Sequence, residues 1–246
     1  MGVLMMIKAI SSFAILILLG FLSSHQGFAQ GVSWTKHIAV DSLLGAHDVF
    51  PTDADNDGDT DLFLSGAGIP PLFEPGTVSW AENDGDENFT LHILDSTYTW
   101  ASMIFGADLN EDNFVDIIST SWLEDDISWW RNDDNQNFSK ITISDKLRHA
   151  CDCYVIDMDA DNDPDILGIS LYQHIVWWEN IDGVLEINHI IDDDYAGGHD
   201  IYAADLDGDS DIDIATASIN LDEVHWWEND GNQNFEQHLL DGNANG

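Results

Sequence analysis

Four stretches of this chain set oxygen ligands on alternate residues of a short loop. They read Asp53-Ala-Asp55-Asn-Asp57-Gly58-Asp-Thr-Asp61, Asp108-Leu-Asn110-Glu-Asp112-Asn113-Phe-Val-Asp116, Asp157-Met-Asp159-Ala-Asp161-Asn162-Asp-Pro-Asp165 and Asp205-Leu-Asp207-Gly-Asp209-Ser210-Asp-Ile-Asp213. Relative positions 1, 3, 5 and 9 hold fifteen Asp and one Asn, which is Asn110. Alternate residues of a tight loop converge on one centre, and a position-7 carbonyl extends the oxygen cage as in an EF-hand. Calcium takes about 6–8 oxygens, so a bidentate acid is expected at position 9. Position 6 needs a sharp turn; Gly58, Asn113 and Asn162 suit it better than Ser210. Magnesium prefers few carboxylates and keeps its waters, and zinc or iron would want His or Cys, which these loops lack. The competing reading is a set of solvated Asp turns with local backbone hydrogen bonds. Four carboxylates within nine residues repel one another, which favours a cation among them. The expected affinity is modest, on the order of 10⁻⁴–10⁻³ M. The expected role is structural.

The elements that position these loops follow from the repeat. Loop starts are separated by 55, 49 and 48 residues. A tryptophan block follows each loop: Val78-Ser-Trp80-Ala-Glu-Asn83, Ile127-Ser-Trp129-Trp130-Arg-Asn132, Ile175-Val-Trp177-Trp178-Glu-Asn180 and Val224-His-Trp226-Trp227-Glu-Asn229. The longer first interval implies an insertion, placed at the Pro-rich Ile69 to Gly76. A third block closes each unit, around Phe89–Asp95, Phe138–Ser144, Leu185–Asp192 and Phe235–Asp241. Each unit therefore offers four short apolar runs split by Asp, Asn and Gly, which read as strands. Asn-Asp-Gly at Asn83–Gly85 and Asn229–Gly231 is hairpin chemistry. Four strands in about 45 residues mark a propeller blade.

The expected fold is all-β: a β-propeller of four-stranded blades, with units at about 46–95, 101–145, 150–192 and 198–241. An orphan outer strand is expected at 33–41, from Trp34-Thr-Lys-His37-Ile-Ala-Val-Asp41. This chain reads either as part of a larger, truncated propeller or as a four-unit array. Residues 1–29 read as a secretory signal peptide, with one charge at Lys8, an apolar run to Leu22 and cleavage at Ala29. The alternative is a retained anchor, for which the run is short.

The formal net charge is −41. That excludes nucleic acid and anionic membranes as partners, since both need a basic face. It favours a cation or a salty medium. Eleven Phe and ten Trp oppose disorder. Cys151 and Cys153 lie two residues apart; a strained bridge and two buried thiols both remain open. His47-Asp48 and His199-Asp200 stand before loops one and four and are base candidates, but a repeated histidine fits strand packing better. Trp80, Trp130, Trp178 and Trp227 are expected in the core. Trp129, Trp177 and Trp226 are expected to cover the adjacent sheet rather than to stack on sugars.

The loops together with the tryptophan block resemble FG-GAP/VCBS-type repeats, the calcium-binding blades related to those of integrin α-subunit propellers. Phe105-Gly106-Ala107 before Asp108 echoes the name-giving dipeptide. The resemblance covers about residues 34–241 and is closest to secreted bacterial members. It implies a β-propeller, calcium, and extracellular adhesion or ligand binding, without implying one ligand. The expected function is a secreted calcium-binding module whose partner is an extracellular protein or polysaccharide. The alternative is the non-catalytic propeller portion of a secreted polysaccharide-degrading enzyme; a lyase in its own right is a third reading. Unpaired blade edges invite self-association.

Overall fold

Strand-forming runs separated by Asp, Asn and Gly turns fold here as four antiparallel meanders. The structure, a computed structural model, describes residues 35–68, 75–133 and 135–241. The expected signal peptide and most of the Pro-rich insertion lie outside the described residues. Blade one comprises β1 (Ala46–Thr52), β2 (Asp61–Gly66), β3 (Thr77–Asn83) and β4 (Phe89–Asp95). Blade two comprises β5 (Ala101–Ala107), β6 (Asp116–Ser121), β7 (Asp126–Asn132) and β8 (Phe138–Ser144). Blade three holds β9 (Ala150–Ile156), β10 (Asp165–Ser170), β11 (Tyr172–Ile181) and β12 (Val184–Ala196). Blade four holds β13 (Gly198–Ala204), β14 (Asp213–Ser218), β15 (Glu223–Asn229) and β16 (Phe235–Asp241). Within each sheet the strands pair in chain order.

Two expectations need adjustment. Residues 35–41 join no sheet. Instead, Ile38 to Ser42 lie beside Phe89 and Leu91 of β4, and His37 Nδ1 is 3.5 Å from a Glu87 carboxylate oxygen. The Asn-Asp-Gly turns open into five-residue loops, because the Asp84 N–H donates to the Asn88 carbonyl at 3.1 Å and the Asp230 N–H to that of Asn234 at 3.1 Å. Only blade three makes the tight two-residue turn, with Asp182 and Gly183 both at positive φ.

Successive blades meet through their inner strands, β1 against β5, β5 against β9 and β9 against β13. The core is accordingly three separate clusters, one at each junction. Phe63, Trp80 and Ile104 fill the first, Trp129 and Trp178 the second, Trp177 and Trp227 the third. Strand pleat explains this: adjacent residues face opposite sides, so a Trp-Trp pair serves both neighbouring junctions. Register places Trp80 with Trp129, Trp177 and Trp226, not with the second tryptophans. Gly106 has a specific reason to be glycine: a Cβ there would lie 2.7 Å from the Phe50 ring of the preceding blade.

Polar links cross the same junctions. The Asn132 amide donates to the Ala54 carbonyl at 3.0 Å, and the Asn180 amide to that of Leu109 at 2.8 Å. The ends of the series expose what the interior buries. Loop position 2 is 1% exposed at Ala54 and Leu109 and 4% at Met158, but 47% at Leu206. Val49 of β1 is exposed, whereas its register equivalents Ile104, Cys153 and Ile201 are buried.

This asymmetry predicts unequal costs for one chemical change. Leu109→Ala should lose about 2–5 kcal/mol, the range for a buried leucine, and Leu206→Ala less than half as much. Denaturant melts of the two variants check this; equal losses would mean that Leu206 is buried in solution.

Candidate metal centres

The loops form where each inner strand turns back into the second strand of its blade. Position 6 adopts positive φ in all four: 96° at Gly58, 70° at Asn113, 81° at Asn162 and 85° at Ser210. Ser210 thus takes the strained turn despite being the least suited residue. The position-1 carboxylate caps that turn. Asp53 accepts from the N–H groups of Asp57 and Gly58 at 3.1 Å, Asp108 from those of Asp112 and Asn113 at 3.0 and 2.7 Å. Position 5 accepts from the N–H of position 7, at 2.9 Å for Asp57, Asp161 and Asp209 and 3.0 Å for Asp112. Local Asp turns and ligand convergence therefore coexist.

Position 9 plays a second part that the motif alone does not reveal. Asp61, Asp116, Asp165 and Asp213 are essentially buried. Each accepts from the N–H of loop position 2, at 2.9, 3.2, 2.9 and 3.0 Å. Each also accepts from the N–H of the asparagine ending the third strand, at 2.7 Å for Asn83 and Asn132 and 2.8 Å for Asn180 and Asn229. One carboxylate thus staples the loop to two strands. Burial pushes Asp116 and Asp165 up to about 6, against the backbone N–H groups that hold them down. Burial also raises Asp61, Asp55, Asp159 and Asp207, and nearby aspartates add to each.

Carboxylate oxygens gather within 4.8 Å of one another in three loops: Asp53, Asp55 and Asp57; Asp157, Asp159 and Asp165; Asp205, Asp207 and Asp213. Oxygens sharing one calcium at about 2.3–2.6 Å lie at most about 5 Å apart, so these donor sets fit that ion. They are consistent with calcium sites. Loop two shows no such acid triple among the described residues. There the Asn110 amide nitrogen donates to Asp112 Oδ2 at 2.7 Å.

Of the two histidine–acid pairs, the first is absorbed by blade joining. His47 Nδ1 lies 2.8 Å from the Ser102 carbonyl, and Asp48 accepts from the Ile104 N–H at 3.0 Å, both in the next blade. Asp152 accepts from the Ile201 N–H at 2.9 Å, and burial with Asp200 beside it raises its proton affinity. Cys151 and Cys153 are free thiols, not a bridge; burial lifts Cys151 to about 12. Trp129 and Trp177 are buried at junctions and Trp226 is half-buried. At the strand ends opposite the acidic loops, the four blades share a cavity of about 330 Å³, lined by residues including His47, Trp100, Trp122, Asp152 and His199. Trp100, Trp122, His149 and Tyr172 run across that end with successive ring centroids 4.9, 5.1 and 4.9 Å apart. The repeat blocks do not reveal this aromatic row, because Trp100, Trp122 and His149 fall in turns and Tyr172 at the first position of β11, all outside those blocks.

Residues 53–119, from the first ligand of loop one into β6, match the FG-GAP-like repeat family. The chain carries an FG-GAP-like repeat. No curated protein matches this chain in sequence. Among solved structures it is similar to BBS1N in complex with ARL6DN, soaked with mercury. The TM-score is 0.51 at 10% identity, over 82% of this chain and 58% of that one. It is also similar to the V. cholerae biofilm matrix protein Bap1, at TM-score 0.47 and 16% identity, over 85% of this chain and 40% of that one. The chain thus spans less than two thirds of either. The first likeness supports the bladed all-β fold. Among the described residues no helix is long and apolar enough to cross a membrane.

Two outcomes follow for the loops. Ser210→Gly should relieve positive-φ strain of about 1 kcal/mol and raise Tm by about 2–4 °C, as read by calorimetry. Carboxyls raised by burial hold protons more tightly folded than unfolded. Their contribution is full below the unfolded value near about 3.9 and is lost as pH rises through about 6. Chelated protein should therefore melt higher at pH 5 than at pH 7.5; a melting point that falls on acidification would refute the burial argument.

Proposed function

We propose that this chain is a secreted, calcium-stabilised module for extracellular binding or adhesion, without catalysis of its own. The observation that carries the reading is the convergence of three carboxylates within 4.8 Å in loops one, three and four. In water such clusters are costly, and a divalent ion removes the cost while joining the inner strand to the second. The strongly negative formal charge points the same way.

Partner contact belongs, in this reading, on the end with the aromatic row. The strands there run about 20 Å from the acidic loops, at about 3.3 Å per residue. Trp100 and Trp122 offer a stacking surface beside a largely apolar cavity that also holds His47, Asp152 and His199, which suits an extracellular protein or polysaccharide. Self-association is supported separately by the exposed Leu206 and Val49, which would meet if blade four of one copy met blade one of another.

Calorimetry of chelated protein titrated with calcium tests the metal reading. Uptake with a rise in Tm of several degrees is expected, and neither uptake nor a shift would reject it. For binding, an array of glycans and extracellular proteins should give signal that Trp100→Ala with Trp122→Ala reduces at least tenfold. Turnover of a polysaccharide would overturn the non-catalytic reading, and sedimentation velocity checks self-association.

A further inference from the structure

Blade two departs from the other three at four linked positions. Asn110 stands where loops one, three and four have Asp55, Asp159 and Asp207. Phe114 replaces Asp59, Asp163 and Asp211 at position 7. Arg131 replaces Glu82, Glu179 and Glu228 in the third strand, and Ile141 replaces His92, His189 and His238 in the fourth. These changes meet in space: Asp112, Phe114, Arg131 and Ile141 line one groove.

In the other blades the fourth-strand histidine fixes the glutamate. His92, His189 and His238 bond Glu82, Glu179 and Glu228 at 2.8, 2.8 and 2.7 Å. Each histidine ring lies 4.3–4.9 Å from the tryptophan across the strand pair. Glu82 and Glu179 lie close enough to Asp55 and Asp159 to raise their proton affinity. Blades one and three thus add negative charge beside the loop. Blade two adds a guanidinium instead, whose Nη2 lies 3.8 Å from Asp112 Oδ2. Asn110 Nδ2 donates to the same oxygen at 2.7 Å. Asn110 Oδ1 is buried without a partner, and a half-turn of the amide would exchange the two atoms. Arg131, by contrast, keeps its positive charge whatever the rotation of its side chain.

Loop two is also the one that is gripped from both sides. Asn56 of loop one donates to the Asn113 carbonyl at 2.9 Å, and Asn180 of blade three donates to the Leu109 carbonyl. A loop with three acids in place of four at its ligand positions, a guanidinium 3.8 Å from one of them and neighbours on both flanks has less need of an ion.

We infer that Arg131 is the built-in counter-ion of blade two, so that the chain takes three calcium ions, in loops one, three and four, and none in loop two. This rests on the calcium reading above. Native mass spectrometry and equilibrium dialysis of the full chain with calcium alone, up to about 1 mM, should count three ions. Asp112→Asn should leave the count at three, and Asp159→Asn should lower it to two. Asn110→Asp alone should stay at three, because the guanidinium remains. Arg131→Glu combined with Asn110→Asp should raise the count to four. Four ions in the unaltered chain, or in Asn110→Asp alone, would overturn the assignment to Arg131 while leaving the calcium reading intact. No ions at all would overturn both. Should the double variant fail to fold, the counts for the unaltered chain and Asn110→Asp decide the question by themselves.

Discussion

Each blade depends on a buried carboxylate at the ninth position of its loop. Asp61, Asp116, Asp165 and Asp213 take backbone N–H groups from the loop and from the third strand at once. Without that acceptor, two donors per blade would be left without their partner in the interior, at about 1–3 kcal/mol for each that stays unsatisfied. The same burial raises the proton affinity of Asp116 and Asp165. The remaining loop carboxylates must then gather around an already crowded negative centre. Loop geometry and blade registration follow from this one placement, which also sets the acidic clusters consistent with calcium sites.

Blade-to-blade packing repeats a second constraint. Each junction buries tryptophan from both sides and closes with an asparagine amide reaching back to the preceding loop in the first two cases. Hydrophobic area and a directional hydrogen bond act together there, so the loops are held in series as well as one by one. The aromatic row at the opposite end stands outside these junction clusters: Trp100, Trp122 and His149 sit in turns and Tyr172 at the very start of β11. That separation leaves one end of the blades acidic and the other lined by aromatic rings.

Blade two shows that the repeat tolerates a different electrostatic solution. Exchange of a histidine–glutamate pair for isoleucine and arginine reverses the sign of the charge beside the loop without altering the backbone turn: Asn113 keeps the positive φ of its counterparts. Backbone shape and charge neutralisation are therefore separable properties of the motif. The staple at Asp116 is retained, which keeps the blade in register.

Much of this was written in the sequence because it is periodic. The four four-stranded units and their four loops follow from the spacing of Asp, Trp and Asn, since alternation and turn chemistry act over a few residues. The positive φ at position 6 follows from the need to turn within nine residues. Tertiary structure alone decided which tryptophan faces which junction: pleat fixes only that neighbours face apart, and the register of β3 against β2 assigns Trp80 its side. It alone showed Leu206 exposed where Leu109 is buried, because burial depends on whether a blade follows. It alone kept residues 35–41 out of any sheet, and brought Arg131 to Asp112, since cross-strand distance is not encoded in local spacing.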